Sequence, residues 1–369
     1  MKLIDKILKT LSKNKINFYT GVPDSVLKPL SIKLSKFNQK NHIIAANEGG
    51  AVSIATGYHL ATKKIPVIYL QNSGLGNIIN PITSMISKKI YGIPMILFIG
   101  WRGYPGSKDE IQHTFQGKIT LNQLKMLNIK YKVFNKKNFT VQLKHLIKHS
   151  KKQNEPVAYL FKKNDMGFDD LNFREKNFDT ENFVSRSEFI FNLIQNNKIS
   201  RIIATTGFTS RELYQIRSKY KNSKSRDFYL VGAMGHSSMV ALGYSSVKKN
   251  KEVVCLDGDG SFLMHLGSSI ISSKFGKNNF KYILLNNECH ESVGKQATSI
   301  DQINLKKFCL SIGYKKYFII NKKRKIQPTI KKFINSKGPS FLEVKINRGT
   351  LPNLARIKKL NIVKKFFMK

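Results

Sequence analysis

The sequence predicts an α/β protein of two domains, each a mainly parallel sheet with helices on both faces. Three observations carry this. The 369 residues suffice for two domains of ordinary size, and 41% hydrophobic content suits two cores. Residues 66–71 and 94–100 are near-continuous apolar runs, as strands buried on both faces are. Residues 253–287 read as one βαβ unit. In it, strand 253–256 meets the turn Asp257-Gly258-Asp259-Gly260-Ser261, and a helix over 262–275 follows. Strand 282–285 then ends in Asn286-Asn287.

Taken in order, residues 1–13 place Leu3, Ile4, Ile7, Leu8 and Leu11 at helical spacing between lysines. That predicts a helix and no signal sequence. Strand 16–20 leads into Gly21-Val22-Pro23-Asp24-Ser25. Asp24 or Ser25 can cap the next helix, and Asp24 is also a candidate carboxylate at the mouth of a site. Strand 42–46 leads to Glu48 at a helix start, where an acid suits the dipole. Strands 66–71 and 94–100 each run into a glycine-rich polar loop, 72–77 and 101–117. The length of the second favours function over mere linkage. It holds His113, suited to proton transfer near neutrality, and Arg102, which can clamp an anion bidentately or simply face solvent. Helices over 118–127 and 137–150 and a strand over 156–161 close a first domain, 1–165. Polar residues 166–186 predict a linker before a second domain, 187–369. That domain opens with a helix over 187–196, a strand over 201–205 and the capping loop Thr206-Gly207-Phe208-Thr209-Ser210. The tail 356–369 reads as a solvated basic helix end. No internal repeat is apparent.

A βαβ unit puts Asp259 and Asn287 at the C-terminal ends of neighbouring strands, where open α/β sheets bind ligands. The residue types suit a magnesium diphosphate. Mg²⁺ takes oxygens octahedrally, one or two of them from carboxylates. Asp259 offers a carboxylate, Asn287 an amide oxygen and Cys289 its backbone carbonyl. Gly258, Gly260 and Ser261 would face the phosphates, with the first helical N–H groups.

Gly-Asp-Gly followed by Asn-Asn is the pattern of the thiamin-diphosphate (ThDP) enzymes, and the chain resembles that superfamily. Glu48-Gly49-Gly50-Ala51 with Gly57–Thr62 is similar to the helix carrying its activating glutamate. Tyr19–Ser25, Gln71–Asn77 and Ile99–Gly103 resemble more narrowly the phosphonopyruvate decarboxylases and their sulfopyruvate relatives. The resemblance implies two cofactor-binding domains, one for the pyrimidine end and one for Mg²⁺ and the diphosphate. It implies that Glu48 bonds N1′ of the aminopyrimidine, that the Thr206 loop lies on the diphosphate side, and that the Gly232 carbonyl accepts from the 4′-amino group. Met234, otherwise an ordinary core filler, stands where the family places the side chain that bends the cofactor. His113 resembles a loop histidine of these decarboxylases, and with Asp24 it is the candidate for proton handling. Residues 288–296 would cover the substrate, with Arg102, His290 and Ser292 as candidate contacts; Lys295 departs from the small residue usual there. The implied reaction is 3-phosphonopyruvate to phosphonoacetaldehyde and CO₂, a step in phosphonate biosynthesis. Sulfopyruvate is the alternative substrate. In the family the two faces meet across a subunit interface, which implies a homodimer or larger homo-oligomer. A non-catalytic binding protein on the same fold is the reading that Glu48, Asp259 and Asn287 together oppose.

Net charge is +42, yet only 10 of the 64 basic residues are Arg and they are spread along the chain. No nucleic-acid-binding motif accompanies them, so nucleic acid is not expected as a partner. A positive surface still attracts an anionic substrate. The apolar run 93–101 is too short to span a membrane. Three cysteines without a CxxC pair suggest a reduced, cytoplasmic protein.

Overall fold

The computed structural model describes residues 2–167, 183–196, 199–220 and 226–369. The chain divides into two compact units, residues 1–174 with 293–296, and residues 175–292 with 297–369. Most of the expected linker, 166–186, lies outside the described residues.

The first unit runs α1 (Leu3–Lys13), β1 (Tyr19–Gly21), α2 (Lys28–Leu34), β2 (His42–Ile44), α3 (Glu48–Thr62), β3 (Val67–Gln71), α4 (Leu75–Pro81), β4 (Met95–Gly100), α5 (Ile111–Met126), β5 (Lys130–Val133), α6 (Phe139–Gln153) and β6 (Pro156–Phe161). All strand pairs are parallel, in the order β2-β1-β3-β4-β6-β5. Alternate residues of one strand feed two different cores. Val67, Tyr69, Ile96, Phe98, Val157 and Tyr159 pack on one face under α1, α2 and α6. Ile68, Leu70, Leu97, Ile99, Ala158 and Leu160 pack on the other under α3, α4 and α5. This is why the central strands read as unbroken apolar runs.

The second unit runs α7 (Arg186–Ile194), β7 (Ile199–Ala204), α8 (Phe208–Lys219), β8 (Phe228–Tyr229), α9 (Ser237–Val247), β9 (Glu252–Gly258), α10 (Asp259–Met264), α11 (Gly267–Phe275) and β10 (Phe280–Asn286). Two-residue strands β11 (Cys289–His290) and β12 (Gln296–Ala297) follow, then α12 (Leu305–Ser311), β13 (Lys316–Ile320), α13 (Ile326–Asn335), β14 (Ser340–Lys345) and α14 (Leu360–Met368). Its six-stranded sheet is again parallel, ordered β13-β14-β10-β9-β7-β8. With only the six strands of this sheet numbered in chain order, and read from the other edge, this is the first sheet's order. The repeat that the sequence hides is therefore explicit in the topology. In each sheet the winding reverses beside the first strand, between β1 and β3 and between β7 and β9. Ligands of open α/β sheets bind at such switch points, outside the C-terminal strand ends.

Four expectations are corrected. Helix α5 starts at Ile111, not near residue 118, so His113 lies in its first turn rather than in a loop. Gly117 lets the helix lie against the Gly103 carbonyl, where any Cβ would collide. Residues 72–77 form a 3₁₀ turn and the start of α4 rather than a loop. The helix expected over 262–275 breaks at His265, whose ring lies against Gly235. The tail is not simply solvated: Phe367 is buried against Phe228 and Tyr244, with ring centroids 5.4 and 4.8 Å away.

Candidate functional site

In the first unit Glu48 opens α3. Asn47 caps the helix by accepting from the Gly50 N–H at 2.8 Å, which fixes Glu48 in the first turn. The Glu48 side chain is 5% exposed, and its Oε2 accepts from Asn77 Nδ2 at 2.6 Å. Its Oε1 lies where a Cβ on Gly74 would be. Both neighbours come from residues 71–77, so that stretch positions the glutamate.

Asp24 does not stand at the mouth of a site as expected. It is fully buried; Oδ2 accepts from the Val26 and Leu27 N–H groups at 2.9 and 3.0 Å, and Oδ1 from Gln71 Nε2 at 2.6 Å. Burial raises its carboxyl above the usual range, against the pull of those donors. It ties the ends of β1 and β3 together at the switch point.

Arg102 is also placed differently. Its Nε and Nη2 grip Asp109 at 2.7 and 2.5 Å, and Nη1 donates to Ser25 Oγ at 3.0 Å. This bidentate pair holds the Asp109 carboxyl well below the usual carboxylate range. The fork expected for a substrate is committed to the protein. The fully buried Asn72 pins the same loop, donating to the Arg102 carbonyl and to Thr120 Oγ1, both at 2.9 Å. His113 is half-buried, with its backbone carbonyl against Gly103.

In the second unit the two aspartates of the glycine turn separate. Asp257 faces inward, accepting from Tyr282 Oη at 2.7 Å and the Gly258 N–H at 2.9 Å. Asp259 opens α10 at the β7/β9 switch point, 3% exposed, with Oδ2 accepting from Thr298 Oγ1 at 2.7 Å. Burial pushes its carboxyl up to about 7, while Thr298 and backbone N–H groups pull it down and Glu288 adds repulsion. Neutral donors and a second acid surround it, a setting that suits a bound cation. Strand register sets Leu285 beside Gly258, so Asn286 and Asn287 follow alongside Asp259. Asn287 is buried; its Nδ2 donates to Glu291 Oε2 at 3.0 Å and its Oδ1 accepts from the Cys289 N–H at 3.3 Å. The Cys289 carbonyl accepts from the Glu291 N–H at 3.0 Å, leaving its second lone pair.

The loop after Asn287 lies over this rim. A Cβ on Gly260 would stand 2.8 Å from the His290 ring and 3.2 Å from Met234 Cε, so Met234 and His290 converge there. Burial pushes His290 down to about 4, which keeps it neutral near pH 7. Ser292 Oγ lies beside Gly207, 3.9 Å from where its Cβ would be. The Ser261 hydroxyl, expected to face phosphate, bonds Thr205 Oγ1 at 2.9 Å and the Gly235 N–H at 3.0 Å. It ties three loops of the rim together. Thr206 and Gly232 are half-buried on two of those loops.

The residues present fit a divalent ion and a diphosphate. Asp259 supplies the buried carboxylate, and Gly258 has open space where a Cβ would stand. Among the described residues no three His, Cys, Asp or Glu side chains form a metal cage. An ion at Asp259 would complete its shell with amide, carbonyl and phosphate oxygens, as Mg²⁺ does. Sequence reasoning missed Asn77, Thr205 and Thr298. Asn77 was signalled by its place within 71–77; Thr298 carried no local signal.

Comparison with known proteins points to one family. Residues 1–126 match the family described as thiamine pyrophosphate enzyme, N-terminal TPP binding domain, and residues 205–344 match its C-terminal TPP binding domain. Thiamine pyrophosphate is ThDP. The chain is 28% identical to a phosphonopyruvate decarboxylase of Streptomyces viridochromogenes over 92% of this chain and 87% of that protein. It is 27% identical to the phosphonopyruvate decarboxylase of Streptomyces hygroscopicus over 92% and 86%. It is 24% identical to a sulfopyruvate decarboxylase of Methanosarcina acetivorans over 95% and 93%.

Proposed function

From its place among the thiamine pyrophosphate enzymes, to which the chain belongs, we propose that it decarboxylates 3-phosphonopyruvate to phosphonoacetaldehyde and CO₂, with ThDP and Mg²⁺, in phosphonate biosynthesis. ThDP, when bound, supplies the electron sink that lets a 2-oxo acid lose CO₂. The chain's own residues bind and orient. Asp259 and Asn287, with the Cys289 carbonyl, would hold the ion, and the glycines of 258–260 would leave room for phosphate. Glu48, held by Asn77, would offer its carboxyl to a ring nitrogen of the bound cofactor. Met234 and His290 shape the space over Gly260. His113 handles protons, and His290 and Ser292 face the substrate; Arg102, held by Asp109, serves the loop. A homodimer is the smallest assembly in this reading, and the reduced cytosol its compartment.

What carries the reading is the Asp259 constellation: a buried carboxylate at a switch point, beside Asn287 and beneath a loop that closes over glycine. The preference for phosphonate rests on the 28% and 27% identity to two phosphonopyruvate decarboxylases, against 24% to the sulfopyruvate decarboxylase. The test is kcat/KM for phosphonopyruvate, sulfopyruvate and pyruvate with ThDP and Mg²⁺. Phosphonopyruvate is expected to be the best of the three. A preference for sulfopyruvate would overturn the substrate while leaving the cofactor chemistry standing.

A further inference from the structure

The second unit holds a buried ionic cluster of Arg186, Glu212 and Glu291. Ser185 caps α7 by accepting from the Glu188 N–H at 3.1 Å, which sets Arg186 in the first turn. The Arg186 side chain is 5% exposed and reaches two acids that are equally hidden. Its Nη1 lies 3.3 Å from Glu212 Oε1, and its Nη2 2.5 Å from Glu291 Oε2. The same Glu291 oxygen accepts from Asn287 Nδ2 at 3.0 Å. The other Glu291 oxygen takes the Gly349 N–H, and Glu212 Oε1 takes the Leu351 N–H at 3.2 Å. Arg348 Nε donates to the Asn287 carbonyl at 3.4 Å.

Burying two acids around one guanidinium carries a desolvation penalty that packed apolar residues would avoid. Such a cluster is a poor device for stability alone. Its geometry has a direct consequence for Asn287. A carboxylate gripped by a guanidinium only accepts, so the Asn287 atom facing it must be the amide nitrogen. The amide oxygen is thereby turned the other way. The planar Arg186 fork fixes Glu291, and Glu291 fixes the amide.

We propose that Glu291 and Arg186 are positioning residues that hold the Asn287 amide in the orientation that presents its oxygen to the divalent ion. This rests on the proposed metal site at Asp259 and Asn287. Glu291 also begins the loop carrying Ser292, so the same contact registers that loop against the ligand residue. Groups that orient a metal ligand typically alter affinity ten- to a hundredfold when replaced. Glu291→Gln is nearly isosteric but can donate or accept, so it releases the constraint on the amide.

The test is Mn²⁺ binding followed by electron paramagnetic resonance, with ThDP present, in the full-length protein. Glu291→Gln is expected to weaken Mn²⁺ about tenfold or more. Excess Mg²⁺ is expected to restore its kcat. Arg186→Lys, which keeps the charge and loses the fork, is expected to weaken Mn²⁺ by a smaller factor and serves if Glu291→Gln does not fold. Arg217→Met breaks another buried pair of the same unit, to Asp227 at 2.8 Å, and is expected to lower Tm without changing Mn²⁺ affinity. Unchanged affinity in Glu291→Gln and Arg186→Lys, or equal weakening in Arg217→Met, overturns the proposal. Asp259→Ala separates the two readings. If it loses Mn²⁺ while both Glu291→Gln and Arg186→Lys keep it, only the positioning role fails. If Asp259→Ala itself binds Mn²⁺ normally, the metal site fails, and the positioning role with it.

Discussion

Single side chains carry opposite duties here according to what already holds them. Glu48 and Asp24 are both buried acids near strand ends, but Asp24 is met by three donors, Val26 N–H, Leu27 N–H and Gln71 Nε2, whereas Asn77 is the donor that meets Glu48. Glu48 thus keeps capacity for a ligand, while the donors around Asp24 tie it to the ends of β1 and β3. Glu48→Gln is expected to bind ThDP yet exchange the cofactor's C2 proton far more slowly, because an amide cannot share a proton as a carboxyl does. Wild-type exchange by proton NMR would reject that role. Asn77→Ala removes one charge-assisted contact, which contributes roughly 1.5–3 kcal/mol. It is expected to lower kcat about tenfold or more with ThDP affinity little changed; a fall in affinity alone would make Asn77 a binding residue.

At the scale of elements, loops owe their shape to pairs distant in sequence. Arg102 closes 101–109 by gripping Asp109, and Asn72 pins that loop to α5 through Thr120. Arg102→Ala is expected to lower Tm while the kcat/KM ratio of phosphonopyruvate to pyruvate stays constant. A selective KM rise for phosphonopyruvate would return Arg102 to the substrate. Strand β2 gives a pH test. His42 is buried with Nε2 2.8 Å from Tyr69 Oη, and burial pushes it from 6.5 down to about 4. The fold keeps it neutral while the unfolded chain takes a proton near 6.5, so its contribution is lost as pH falls from 6.5 toward 4. Replacing His42 with Gln is expected to flatten the Tm profile over that window; an unchanged acid slope would refute it. The strands and the Asp259 turn were legible because fully buried strands are apolar throughout and glycine turns are conspicuous. The α5 start, the Arg102–Asp109 grip and Thr298 were not, because long-range pairing leaves no local pattern. Edge strand β5 alternates Lys130 and Lys132 with half-buried Tyr131 and Val133, which masks it as surface.

For the whole molecule, two sheets of one topology offer two switch points, Glu48 near one and Asp259 at the other. None of the described helices is long and apolar enough to cross a membrane. The +42 charge predicts electrostatic capture of a polyanionic acid. Raising salt should lower kcat/KM for phosphonopyruvate more than for pyruvate; equal salt dependence would show that the charge plays no part in capture. The decisive measurement is CO₂ release from phosphonopyruvate by protein stripped of cofactor, then titrated with ThDP at fixed Mg²⁺. Release should rise from background to saturation in the wild type and stay at background in Asp259→Ala. Release independent of added ThDP, or an Asp259→Ala protein as active as the wild type, would contradict it.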